Sequence, residues 1–228
     1  MGEARLPAGW TRAGRLPAMM KRTLLAGIAT LSLAAAGCGS TSSKKAQPEH
    51  ATTTSASTST TAALSPRRLV LERSDMPPEF REVSSEPVTL AESGPQLGPE
   101  FEKWGFVGGW SNVYGPHGSR RAGVLAVISI AHVFRSSDGA AHAFAAIKSV
   151  RRTVPVHLGD EGLLTMHRPT TFAGRKVSRV IIGWRRRHVI SFVEVDGFAT
   201  STVAMRVALR TFVRKQDARV KRATGETR

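Results

Sequence analysis

Two neighbouring stretches decide the fold: Phe106-Val107-Gly108-Gly109-Trp110-Ser111-Asn112-Val113-Tyr114 and Ala122-Gly123-Val124-Leu125-Ala126-Val127-Ile128-Ser129-Ile130-Ala131-His132-Val133-Phe134. In the first, Phe106, Gly108, Trp110, Asn112 and Tyr114 fall at period 2, the repeat of a strand whose side chains alternate between faces. The second is rich in β-branched side chains, which fit a pleated and buried surface. Gly115-Pro116-His117-Gly118 between them is turn chemistry. The pair reads as a hairpin whose second strand is central in a sheet.

Outward from that hairpin, Ser136-Ser137-Asp138 offers a helix cap, and Ala140, Ala143, Phe144, Ile147 and Val150 then share one helical face. Pro155 and Gly159 break the chain, and Gly162–Met166 is a short strand. Lys176–Trp184 and His188–Val195 form a second hairpin turning at Arg185-Arg186-Arg187. Thr200 or Ser201 caps a last helix with Val203, Ala204, Val207, Ala208 and Phe212 facing inward. Upstream, Ser74-Asp75-Met76-Pro77-Pro78 reads as an ordered turn, and 82–99 as loop. The pattern predicts an α+β fold: a mainly antiparallel sheet of about five strands with two main helices on one face.

The domain is expected at 67–215, followed by a disordered polar tail at 216–228. Residues 38–66 are dominated by Ser, Thr and Ala, cannot form a core, and read as a disordered tether. Before them, Met20-Lys21-Arg22 leads into 14 uncharged residues, Thr23–Ala36. A spanning helix needs about 20; a cationic start, a short apolar run and small residues make a secretory signal peptide, 1–37. Met19 and Met20 can each open that signal, which makes 1–18 a candidate start-site artefact.

The run closes in Ala35-Ala36-Gly37-Cys38, and Cys38 is the single cysteine of the chain. This resembles the lipobox of bacterial lipoproteins. The resemblance implies cleavage between Gly37 and Cys38 and a diacylglyceryl anchor on Cys38, traceable by palmitate. It also implies a location at the cell membrane, on its extracytoplasmic side. The Asp75-Met76-Pro77 entry, the Ala-rich helix 140–147, the Leu158-Gly159-Asp160-Glu161 turn and the closing hairpin and helix loosely resemble small exported α+β domains. Those are the domains of actinobacterial lipoproteins and of bacterial receptor-kinase sensors. No functional residue follows from that likeness.

The chain of 228 residues carries a net charge of +16. The charge is one-sided: residues 116–228 hold 21 basic and 7 acidic side chains, whereas 66–115 hold 5 and 8. Nucleic acid is the partner that such charge usually signals, and export argues against it. Anionic lipid, wall polymers or another envelope protein remain as partners, with Arg185, Arg186, Arg187, Arg206, Arg210 and Arg214 as candidate contacts. Trp104, Phe106, Trp110 and Tyr114 read either as core or as the platform of a ligand groove. No nucleophile elbow, helical His pair, zinc pattern or phosphate loop is present, so no catalytic residue, metal or cofactor is expected. Asp160-Glu161 reads as a turn in which Asp160 bonds its own backbone. The function expected is non-enzymatic binding at the envelope, with an envelope hydrolase as the alternative.

Overall fold

The computed structural model describes residues 64–93, 97–117, 123–150, 152–172 and 174–226. The signal 1–37, the Gly37-Cys38 junction and the tether up to residue 63 lie outside the described residues. Every element described here belongs to one unit of the chain.

The sheet has seven strands, all paired antiparallel: β1 (Phe80–Val88), β2 (Phe106–Pro116), β3 (Val124–Phe134), β4 (Val154–Pro155), β5 (Glu161–Phe172), β6 (Arg175–Arg186) and β7 (Val189–Phe198). Their order across the sheet is β1-β2-β3-β7-β6-β5-β4. The helices are α1 (Gly98–Lys103), α2 (Ser137–Ser149) and α3 (Thr202–Ala223). Both expected hairpins form. The count of about five strands is too low because both edge strands lack a strand's apolar signature. β1 is Phe-Arg-Glu-Val-Ser-Ser-Glu-Pro-Val, with Pro87 tolerated at an edge, and β4 is two exposed residues.

The helices do not share one face. Ala140, Ala143, Phe144 and Ile147 of α2 pack with Phe134, Leu163, Ile181, Ile190 and Phe192. Met205, Leu209, Phe212 and Val213 of α3 pack with Val127, Val180, Trp184, Val193 and Val195. Ile190 and Phe192 alternate with Val193 and Val195 along β7, so the two helices cover opposite faces. All ten residues of β7 are buried in consequence.

Helix α2 starts where its cap predicts: Ser136 Oγ accepts the Gly139 N–H at 3.0 Å. Val150 falls at its end and is exposed. Helix α3 is rotated from expectation. Val203 is 77% and Val207 61% exposed, while Met205, Leu209, Phe212, Val213, Gln216 and Val220 turn inward. Of the expected tail at 216–228, residues 216–223 are the last two turns of this helix, with Gln216 and Val220 fully buried.

The chain's entry is tied beneath α3. Leu69, Val70 and Leu71 are fully buried. The Leu71 N–H donates to Ser129 Oγ at 2.8 Å, and its carbonyl accepts from Asn112 Nδ2 and Tyr114 OH. Ser129 donates onward to Gln216 Oε1 at 2.8 Å, and Gln216 Nε2 donates to the Ile130 carbonyl. Arg219 pairs with Glu72 and Asp75, which fixes the Asp75 turn to the helix. A buried polar group without a partner costs roughly 1–3 kcal/mol. Here each polar group joins one chain of bonds across four elements.

Candidate functional site

At the β6–β7 turn the sequence places three arginines in a row, and the structure gives each a different task. Arg185 points to the turn before β5, with Nη1 2.9 Å from Asp160 Oδ2 and Nη2 3.5 Å from Glu161 Oε1. Arg186 reaches α3, donating from Nε to Asp217 Oδ1 at 2.6 Å and bonding Glu226. Arg187 donates from Nη1 to the Thr224 carbonyl at 3.0 Å. Its φ of +49° is rare for a side chain other than glycine. The Arg187 N–H donates to Asp160 Oδ2 at 2.7 Å and holds that conformation. Asp160 thus bonds across to the hairpin, where the sequence pattern places a bond to its own backbone.

Burial pulls the Arg186 pKa down, and the hydrogen bond and charge of Asp217, joined by Glu226, outweigh it, so the net shift is upward. Burial, with the neighbouring charge of Arg187, lowers the pKa of His188 in the same turn. Of the six arginines singled out from sequence, these three therefore join the hairpin to the preceding turn and to the end of α3. Arg206, Arg210 and Arg214 differ: all three are exposed on α3. Arg206 Nη2 meets Met166 Sδ at 3.7 Å.

Two clefts are formed by described residues. One, of about 410 Å³, is polar and is lined by Val156–Glu161, Arg186, Asp217 and Lys221. It brings His157 to the same hollow as Asp160 and Glu161. Both carboxylates are engaged there, Glu161 also by Lys148 Nζ at 2.5 Å. Asp217 is held by Arg186 and by Lys221 at 3.2 Å. Such a hollow can hold a small molecule carrying both charge signs, and it offers no carboxylate free of a cation. The other cleft, of about 370 Å³, lies at the sheet edge between Arg152, Thr153, Val154, Leu164 and Met166.

The aromatic series does not meet in one groove. A bulge between Phe106 and Gly108 shifts the register of β2. Phe106 consequently packs with Phe101, Phe134 and His132 on the α2 face. Trp110 and Tyr114 lie on the α3 face, in register with Ala131 and Val127. Trp110 Nε1 donates to Ser85 Oγ at 3.1 Å and Asn112 Oδ1 at 3.0 Å, under the Arg67 guanidinium. Tyr114 is fully buried, and burial, partly offset by the Asn112 hydrogen bond, raises its pKa to about 12. It remains a hydroxyl donor. Trp104 stacks on His142 of α2 at 6.0 Å.

A charged cluster was missed in the sequence reading. Arg179 Nε lies 2.8 Å from Glu194 and 2.9 Å from Asp196, and Nη2 donates to Asp196 at 2.9 Å. The signal was available in the alternation of β7, since Glu194 and Asp196 occupy the positions that continue the Ile190–Phe192 face. Among the described residues no group of three or more His, Cys, Asp or Glu is placed to hold a metal ion. No described helix is long and apolar enough to cross a membrane.

No protein-family model matches the chain, and no curated protein matches it. Among solved structures it is similar to the extracellular domain of PknH from Mycobacterium tuberculosis. The two are 12% identical with a TM-score of 0.39, over 66% of this chain and 93% of that one. A likeness at that level extends neither to residues nor to function.

Proposed function

We propose that this chain is a membrane-anchored cell-envelope lipoprotein whose domain is a non-enzymatic binding module on the extracytoplasmic side. The observation that carries the reading is the position of Cys38. It is the only cysteine in 228 residues, and it stands directly after Ala35-Ala36-Gly37 at the end of the uncharged run. A thiol serving packing could stand anywhere; this one stands where diacylglyceryl transfer requires it. Two acyl chains hold a protein stably at a bilayer, each buried CH₂ contributing about 0.8 kcal/mol. The binding reading is supported by the engaged state of the carboxylates in the polar cleft. Growth with labelled palmitate tests the anchor: the wild type takes up label and Cys38→Ala does not. An unlabelled wild type overturns it.

A hydrolase has one observation in its favour, the shared lining of His157, Asp160 and Glu161. Acid–base work needs a carboxylate within reach of substrate and not committed to a cation. Turnover of a nitrophenyl ester or glycoside, lost in Glu161→Gln, would establish the hydrolase over the binding module.

A further inference from the structure

We infer that the outward side of helix α3, with the adjoining β4–β5 edge, is the face by which the domain docks on an anionic lipid membrane. The inference rests on the lipoprotein reading for its setting, and on four observations of the surface for its content.

First, exposed apolar side chains gather there. Val203 and Val207 lie one turn apart on α3, 77% and 61% exposed; Val154 at 59% and Met166 at 49% lie on β4 and β5. The Arg206–Met166 contact ties the two elements into one surface. Second, among the described residues no carboxylate pairs with the cations of this face. No Asp or Glu occurs between Gly197 and Gln216. The opposite flank of α3 behaves otherwise, since Arg219 is spent on Glu72 and Asp75, and Lys215 bonds the Asp75 carbonyl. Third, the pattern is interleaved. Val203, Arg206, Val207, Arg210 and Arg214 recur at three and four residues, which puts them on one side of the helix. Apolar side chains with flanking arginines are the composition of a helix lying in a lipid headgroup layer. Fourth, the acids of the sheet centre are turned away from this face. Glu194 and Asp196, the acids of β7, continue the Ile190–Phe192 face on the side of the sheet opposite α3, and Arg179 takes both.

The chemistry separates this face from the Arg185–Arg187 turn. A guanidinium already paired with carboxylate has little to offer a phosphate. The free ones gain from an anionic surface, each by about fivefold in affinity, so three together contribute on the order of 100-fold. The valines and Met166 add apolar burial that a soluble polyanion cannot supply. That difference favours lipid over a wall polymer.

The test uses the full chain with Cys38→Ala, which then lacks cysteine, and a single new cysteine labelled with a polarity-sensitive dye. Sites are Val207→Cys, Met166→Cys and, on the opposite sheet edge, Arg81→Cys. On phosphatidylglycerol vesicles the dye at 207 and 166 shifts to the blue and the dye at 81 does not; phosphatidylcholine vesicles leave all three unchanged. Adding Arg206→Gln, Arg210→Gln and Arg214→Gln weakens the shift by about 100-fold in lipid concentration, with an unchanged melting temperature because these side chains are exposed. Binding through residues 23–36 leaves the dye at 207 unmoved and overturns the proposal. So does a shift on a soluble polyanion but not on vesicles, and so does the same shift at 81. Palmitate labelling of the wild type is read separately, so the anchor and the face fail independently.

Discussion

His132 sits on β3 with Phe101, Phe106 and Phe192 around it at ring distances of 5.6 to 6.1 Å, and its Nδ1 is buried without a hydrogen bond. Burial lowers its pKa to about 4. The unfolded chain takes up this proton below its ordinary value of about 6.5, and the folded one does not until about pH 4. The stability associated with His132 is therefore complete above pH 6.5 and is lost as the pH falls toward 4, a span worth about 3 kcal/mol. His132→Leu should flatten the urea midpoint between pH 6.5 and 4; a wild-type midpoint with no slope there contradicts the assignment. Asp217 makes the second prediction at this scale. Its side chain is 8% exposed beside Arg186 at 12%. Asp217→Asn leaves the Arg186 guanidinium with Glu226 as its remaining carboxylate and should cost about 2 kcal/mol in urea unfolding. A cost below about 1 kcal/mol would place the pair among ordinary surface ion pairs.

Among the elements, α3 shows what a hydropathy pattern can and cannot deliver. Its existence is legible from Val203 onward, and its phase is not. Besides Val220, the buried positions of its last turns and just beyond them are Gln216, Asp217 and Thr224, polar groups that the fold buries because it satisfies them. A period count sees them as tail. Strand β1 is hidden for the same reason, since Ser85 enters the sheet by bonding Asn112 and Trp110. The two hairpins were legible because apolar alternation and turn residues agree there. Deleting 216–228 removes Val220, the Ser129–Gln216 bond and the Arg186–Asp217 pair together. The truncated chain should lose its cooperative urea transition, whereas removal of a frayed tail would leave the midpoint in place.

For the molecule as a whole, local sequence named the strands of the centre and left open which face each helix covers. Face is set by where the chain crosses the sheet between β3 and β7, and no short window records that. The candidate site shares this split. The arginines were visible in sequence, but only geometry separates Arg185, Arg186 and Arg187, spent on carboxylates, from Arg206, Arg210 and Arg214, which face outward. The aromatic series broke apart at one bulge. The anchoring proposed above holds the domain at the envelope through Cys38. Mass analysis of the first peptide of the chain recovered from membranes tests it most directly. The expected first peptide begins at Cys38 and carries diacylglycerol on its sulfur. A first peptide that begins upstream of Cys38, or one that begins at Cys38 with a free thiol, contradicts it.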